Sequence, residues 1–234
     1  MDISKRSYQK ELLDGDGIAF KDIEKTMQEL DFINTWLGGH AISLSGLKQL
    51  LNNRKRVTIC EIGCGGGDNL RVLSKYCKQR QIEVSVTGID SNAYCIEVAR
   101  GKWQGENAKW IHSDYQDVLF GEEKPDIIFS SLFCHHFTDE DLVFMLGWMR
   151  GKARVGWYIN DLHRHRIAYY AIRWLTGWLS SSYLVKNDAP VSVLRGFTQR
   201  DWEKILLEAG ADPYTLQWKW AFRWLIVSRT ENER

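Results

Sequence analysis

The chain has 234 residues, 44% of them hydrophobic and 26% charged, which is enough apolar material for one large core and excludes disordered and collagen-like classes. Lys and Arg number 31 against 30 Asp and Glu, and a net charge of +1 lacks the basic excess that nucleic acid binding requires. Five Cys, an odd number without paired spacing, argue against a disulfide scaffold or a metal site and for a reducing compartment.

The chain opens Met-Asp-Ile-Ser-Lys-Arg, with no apolar stretch of a secretory leader, so a cytoplasmic location is expected. Residues 22–53 read as helical, with Ile23, Met27, Leu30, Ile33 and Leu37 at helix spacing, a break at Gly38-Gly39 and a second piece over 45–51. Past Arg54-Lys55-Arg56 the pattern changes to short apolar runs at 57–62, 84–89, 109–112, 126–133 and 155–159, separated by helical stretches. That alternation predicts a parallel sheet built from βαβ units. Two further runs, 214–219 and 222–228, are too close together for a crossover helix and must form an antiparallel hairpin. The expected fold is α/β: a Rossmann-like seven-stranded, mostly parallel sheet with an antiparallel last strand and helices on both faces. Residues 1–56 are expected to form an N-terminal helical cover and 57–234 the main domain.

An insertion over 161–197 is expected to act as a lid: an aromatic and basic helix, a Ser-rich break and a loop holding Asp188-Ala189-Pro190. The apolar stretch 167–185 contains Arg173 and Ser180-Ser181-Ser182, so it is not expected to insert stably in a membrane. Its expected roles are packing on the sheet, lining an apolar acceptor pocket, or touching a membrane surface. Arg195, which closes the insertion, is expected either to hold an acidic substrate group or to form a structural ion pair.

The most specific motif is Cys60-Glu61-Ile62-Gly63-Cys64-Gly65-Gly66-Gly67-Asp68, a buried strand running through a Gly-rich turn into a helix. Such a turn lets the backbone approach a ligand closely. A dinucleotide fingerprint needs a third Gly where Asp68 stands, and here an acid, Glu61, precedes the first Gly by two. This arrangement resembles motif I of the class I S-adenosylmethionine (SAM) dependent methyltransferases. The resemblance continues at Asp90, which ends the second strand where the family binds ribose hydroxyls, at Asp114 after the third strand, and at Asp126-Ile127-Ile128-Phe129-Ser130 in the fourth. It implies SAM as cofactor and Glu61, Gly63, Cys64, Gly65, Asp90, Ser91, Asp114, Tyr115 and Ser130 as cofactor-binding residues.

The acceptor is expected to be a small aromatic or apolar molecule, because the 159–197 stretch is similar to small-molecule methyltransferases of polyketide and phenolic-lipid tailoring. No Asn-Pro-Pro-Tyr-like motif follows the fourth strand, which argues against amide or nucleobase N-methylation and leaves O-methylation as the expected reaction. Histidines just after strands suit the base. His163, with Asp161 to orient it, is one candidate, and His136 of the His135-His136 pair is another. No further ligand sits at metal spacing, so no metal is expected. His40 in the N-terminal cover is a candidate for touching the methionine end of SAM or for a satisfied surface position. Two alternatives stay open: an NAD-dependent oxidoreductase, and a SAM-binding interaction module without catalysis.

Overall fold

Strand β1 (Arg56–Ile62) is buried on both faces because its apolar residues alternate between two layers: Val57 and Ile59 enter one, Cys60 and Ile62 the other. The same alternation places Ile127 and Phe129 of β4 (Ile127–Ser131) in the first layer and Ile128 in the second. In the computed structural model, which describes residues 3–15, 17–121 and 123–230, these strands lie at the centre of a seven-stranded sheet of order β3-β2-β1-β4-β5-β7-β6. The outer ends of the expected cover and main domain, residues 1–2 and 231–234, lie outside the described residues.

Strands β2 (Glu83–Asp90), β3 (Ala108–His112) and β5 (Gly156–Leu162) complete the parallel part. The hairpin of β6 (Tyr214–Lys219) and β7 (Arg223–Arg229) inserts β7 antiparallel beside β5, which leaves β6 on the edge. Both layers are covered by helices. Helices α2 (Gly39–Leu51), α3 (Asp68–Gln79) and α4 (Ala93–Lys102) supply Leu47, Leu50, Leu70, Leu73 and Ile96 to one core. Helices α5 (Asp139–Lys152) and α8 (Gln199–Glu208) supply Leu142, Met145, Leu146, Trp202 and Ile205 to the other.

Helix α1 (Phe20–Trp36) precedes α2, and α6 (Arg166–Leu179) and α7 (Tyr183–Arg195) follow β5. Three local expectations are corrected. The second helical piece starts at Gly39 rather than residue 45, because Gly38 takes the left-handed conformation at φ 75° and restarts the helix at once. Asp188-Ala189-Pro190 is not a loop but lies inside α7, where buried Leu184, Val185, Pro190, Val191 and Val193 outweigh the poor helix propensity of proline. Asp161 belongs to β5 rather than to an insertion, since the strand runs on to Leu162 by pairing with Arg223 of β7. Among the described residues, no helix is long and apolar enough to cross a membrane.

The N-terminal segment before α1 lies along α7 as an extended strap. Ser7 donates its N–H to the carbonyl of Leu194 at 3.0 Å, and the Asp188 carboxylate accepts from the N–H groups of Leu12 and Leu13 at 2.8 and 2.9 Å. Arg6 reaches Asp139 at 2.8 Å and stacks over Phe197 at 4.2 Å. These tethers carry Glu11 and Asp14 to the carboxyl ends of β4 and β5.

Candidate active site

The Gly-rich turn links the ends of β1 and β2. Gly63 and Cys64 both donate their N–H to the carbonyl of Ile89, at 2.9 and 3.0 Å. Gly63 has φ 67°, and a Cβ there would stand 2.3 Å from the Phe133 ring, so only glycine fits. The Asp90 carboxylate accepts from the N–H of Gly65 at 2.8 Å and of Asn92 at 2.9 Å. Each of its oxygens keeps a lone pair for a further donor. Burial lifts the Asp90 pKa, and these two bonds offset part of the lift.

Glu61 is buried at the end of β1. Its Oε1 accepts from Asn69 Nδ2 at 3.0 Å, and its Oε2 has no partner. Burial raises its pKa well above the carboxylate range, against the Asn69 bond, with Asp68 and Asp90 adding to the rise. Asn69 continues the chain of bonds to His40 Nδ1 at 2.9 Å, and His40 Nε2 meets Asp31 at 2.9 Å. Burial opposes charge on His40, yet the bonds to Asp31 and Asn69 outweigh it and hold the imidazole above its ordinary pKa. His40 is therefore buried and satisfied rather than on the surface.

These groups line one side of a cavity of about 1320 Å³. Single-ligand pockets run to about 1,000 Å³, so this one has room for two molecules side by side. Across from the turn stand His135 and His136, in a short helical turn after β4, with Glu11 and Asp14 of the strap. His135 Nδ1 donates to Asp161 at 2.8 Å and its Nε2 faces Glu11 at 3.4 Å. Burial disfavours the imidazolium, but Asp161 and Glu11 together push its pKa to about 9. His136 Nδ1 meets Asp14 at 3.1 Å, while its Nε2 stays 3.8 Å from Glu11. Burial works to raise the Asp14 pKa, but the His136 bond prevails and keeps it below its ordinary value.

Glu61, Gly63, Cys64, Gly65, Asp90, Ser91 and His136 all reach the cavity wall. Asp114, Tyr115 and Ser130 do not. Asp114 accepts from the N–H of Gln116 at 2.9 Å and so caps the next turn. Tyr115 packs in the core between Phe137 and Trp148, and Ser130 is fully buried while its neighbour Ser131 faces the cavity. The pairing of Asp161 with His163 is also overturned: Asp161 holds His135, and His163 accepts from Trp218 Nε1 at 3.1 Å, off the cavity wall. Burial, with His165 and Arg164 nearby, lowers the His163 pKa. Arg195 donates to the carbonyls of His135 and Gln9 and pairs with Asp14, which makes it a structural brace.

Glu11 and Asp14 gave no signal in the sequence because their partners lie more than 100 residues away. Their arrival also answers the spacing argument about metals, since Glu11, His135 and His136 present ligand atoms within 4.8 Å of one another. Arg223 is a further wall residue that spacing does not reveal. It is buried, donates from Nη2 to Asn34 at 2.9 Å, and has no partner for Nε or Nη1; burial lowers its pKa to about 10, with Asp161 working the other way.

Residues 59–153 match the methyltransferase domain family. The fold is similar to that of the plantazolicin methyltransferase BpumL, solved with SAH, at 17% identity over 90% of both chains and a TM-score of 0.66. It is also similar to the plantazolicin methyltransferase BamL, at 20% identity over 85% of this chain and 77% of that one, with a TM-score of 0.56. Human N-acetylserotonin methyltransferase, solved with SAM, matches 91% of this chain with 56% of its own length, at 14% identity and a TM-score of 0.59. No curated protein sequence matches the chain. Over residues 59–153 the domain match, the sheet order and the acid-flanked glycine turn agree on a methyltransferase domain.

Proposed function

We propose that the protein methylates a hydroxyl of a small aromatic or apolar acceptor, using SAM, with His136 as the proton acceptor. The residues on the wall fit that cofactor. Asp90 has lone pairs left for a cis-diol, and the unpartnered Oε2 of Glu61 lies beside a glycine turn that leaves room for a ligand. A positively charged sulfonium also suits a wall that carries Glu61, Asp68 and Asp90. The cis-diol would be held by Asp90 and the rest cradled by the backbone of Gly63, Cys64 and Gly65.

When bound, SAM supplies an electrophilic methyl group, so that a new oxygen–carbon bond forms as the carbon–sulfur pair returns to sulfur. The chain's own residues position the acceptor and remove its proton. His136 takes that proton at Nε2, and Asp14, kept ionised at Nδ1, stabilises the imidazolium that forms. His135 is unsuited to the same duty, because its two carboxylates already hold it protonated at neutral pH.

The single observation that carries this reading is the Asp14–His136 pair on the wall of the cavity that Asp90 also lines. It favours hydroxyl over amine acceptors, since a hydroxyl gives up its proton as the bond forms whereas a neutral amine attacks through its free lone pair. Plantazolicin methyltransferases that share the fold are solved with azolic desmethylPZN analogs, so azole-bearing compounds belong in the acceptor panel. The test is transfer from methyl-labelled SAM to phenols, aliphatic alcohols, amines and azole-bearing compounds, read by mass spectrometry. Methylation of phenols that needs His136 supports the proposal, and methylation of amines alone would overturn it.

A further inference from the structure

Five tryptophans are largely exposed among the described residues: Trp36, Trp174, Trp178, Trp218 and Trp220. A monomeric surface rarely shows so much aromatic area in one region. They fall in three segments, 32–60, 162–187 and 214–230, and none of these contains an Asp or Glu. Ile167, Trp174 and Trp220 line the cavity and are nonetheless 62%, 65% and 72% exposed, so they stand at its mouth. The exposed aromatic surface and the entrance to the site are one region.

Helix α6 is built for such a surface. Ile167, Tyr170, Trp174 and Trp178 recur at three- and four-residue spacing and form a single exposed stripe. Arg166 and Arg173, seven residues apart and both exposed, run along one edge of it. Glu29 of α1 is engaged by Ser181 and Ser182 just after α6, whose N–H groups it accepts at 3.0 and 3.1 Å. Phe32 and Trp36, three and seven residues beyond Glu29, lie on that same side of α1 and touch each other.

We propose that this face docks on an anionic phospholipid bilayer, with the cavity mouth turned to the lipid. Tryptophan and tyrosine combine an apolar body with a polar edge and settle at the headgroup level, while arginines beside them pair with lipid phosphates. A second copy of this chain is a poorer occupant, because pairing the face with itself sets Arg166 and Arg173 of one copy against those of the other, while Glu29 is already engaged by Ser181 and Ser182. Docking rests on the methyl-transfer reading only for its purpose: a mouth that faces lipid suits an acceptor with an apolar tail.

The test is flotation of the full chain with vesicles of phosphatidylcholine alone and of phosphatidylcholine with phosphatidylglycerol, followed by tryptophan emission. The expected result is binding to the anionic vesicles with a blue shift. The Arg166→Gln/Arg173→Gln variant should bind about tenfold more weakly. Trp36→Ser/Trp178→Ser, whose side chains lie off the cavity wall, should lose binding and keep the native melting temperature. Absence of vesicle binding by the wild type, or equal binding by the tryptophan variant, overturns the proposal. So does a dimer in sedimentation that the tryptophan variant dissolves, which would make the second copy the occupant. A melting-temperature rise with SAM, measured separately without vesicles, reports on the methyl-transfer reading alone.

Discussion

Asp161 on β5 and His135 in the turn after β4 meet across 2.8 Å, and both side chains are almost wholly out of water. Asp161 also accepts from the N–H of Leu162 at 2.7 Å and of Phe133 at 3.2 Å, so three donors converge on one carboxylate and tie β5 to the segment after β4. Burial works to raise its pKa, but His135 and the Leu162 bond hold it below the ordinary value. Removing one member of a buried pair leaves the other uncompensated, at a cost of about 3 kcal/mol or more. Asp161→Asn should therefore lower stability by that order in urea unfolding, and a loss under about 1 kcal/mol would show that the pair is not a structural pin.

The same pair sets a pH window. The His135 pKa is raised to about 9, so its contribution is complete below the ordinary histidine value and is lost as pH climbs through about 9. Glu11 and Asp161 are held low, so theirs is present above the ordinary carboxylate range and is lost as pH falls through their folded values. Stability from these groups should be greatest at mildly acidic pH, between about 5 and 6.5, and decline on both sides. In His135→Gln the alkaline decline should flatten, which urea midpoints at neutral and alkaline pH would show.

Asp90 ties the glycine turn to the start of α4, through Gly65 and Asn92, and still has lone pairs to offer. Charge-assisted bonds of this kind are worth about 1.5–3 kcal/mol, or roughly tenfold to a hundredfold in affinity. Asp90→Asn, which keeps the shape and one acceptor, should weaken SAM binding by at least about tenfold in titration calorimetry. Unchanged affinity would remove Asp90 from the site.

At Gly63 strain and space act together. A side chain there meets both the left-handed backbone and the Phe133 ring at 2.3 Å. Gly63→Ala should cost about 2 kcal/mol or more and abolish SAM binding, and Phe133→Ala on top of it should recover part of the stability but not the conformation. Circular dichroism melting of the two variants separates the terms.

The sheet was legible because its signals are local: apolar runs bounded by turn residues, and a glycine turn flanked by Glu61 and Asp90. Glu61, Gly63, Gly65 and Asp90 come from those same segments and share one cavity wall. What stayed hidden depends on chain crossings that no spacing records, such as the strap that brings Glu11 and Asp14 to His135 and His136. Asp161 and His163 illustrate the reverse error. On a continued strand two positions apart their side chains would share a face, yet β5 ends at Leu162, and His163 beyond it turns toward Trp218 while Asp161 is buried in the core.

That difference yields the sharpest catalytic contrast. His136 lies on the cavity wall with Asp14 behind it, whereas His163 lies off the wall and spends its Nδ1 on Trp218. General-base contributions run to about 10²–10⁴ in rate. His136→Ala should lower kcat by that order with SAM affinity nearly unchanged, and Asp14→Asn should show a smaller fall with the same pattern. His163→Ala should keep most of its turnover. The Asp14 variant guards against a purely structural role for His136, because it retains the hydrogen bond and removes only the charge that stabilises the imidazolium. Equal turnover in wild type and His136→Ala, with an acceptor that the wild type methylates, would move the proton to another group or to water.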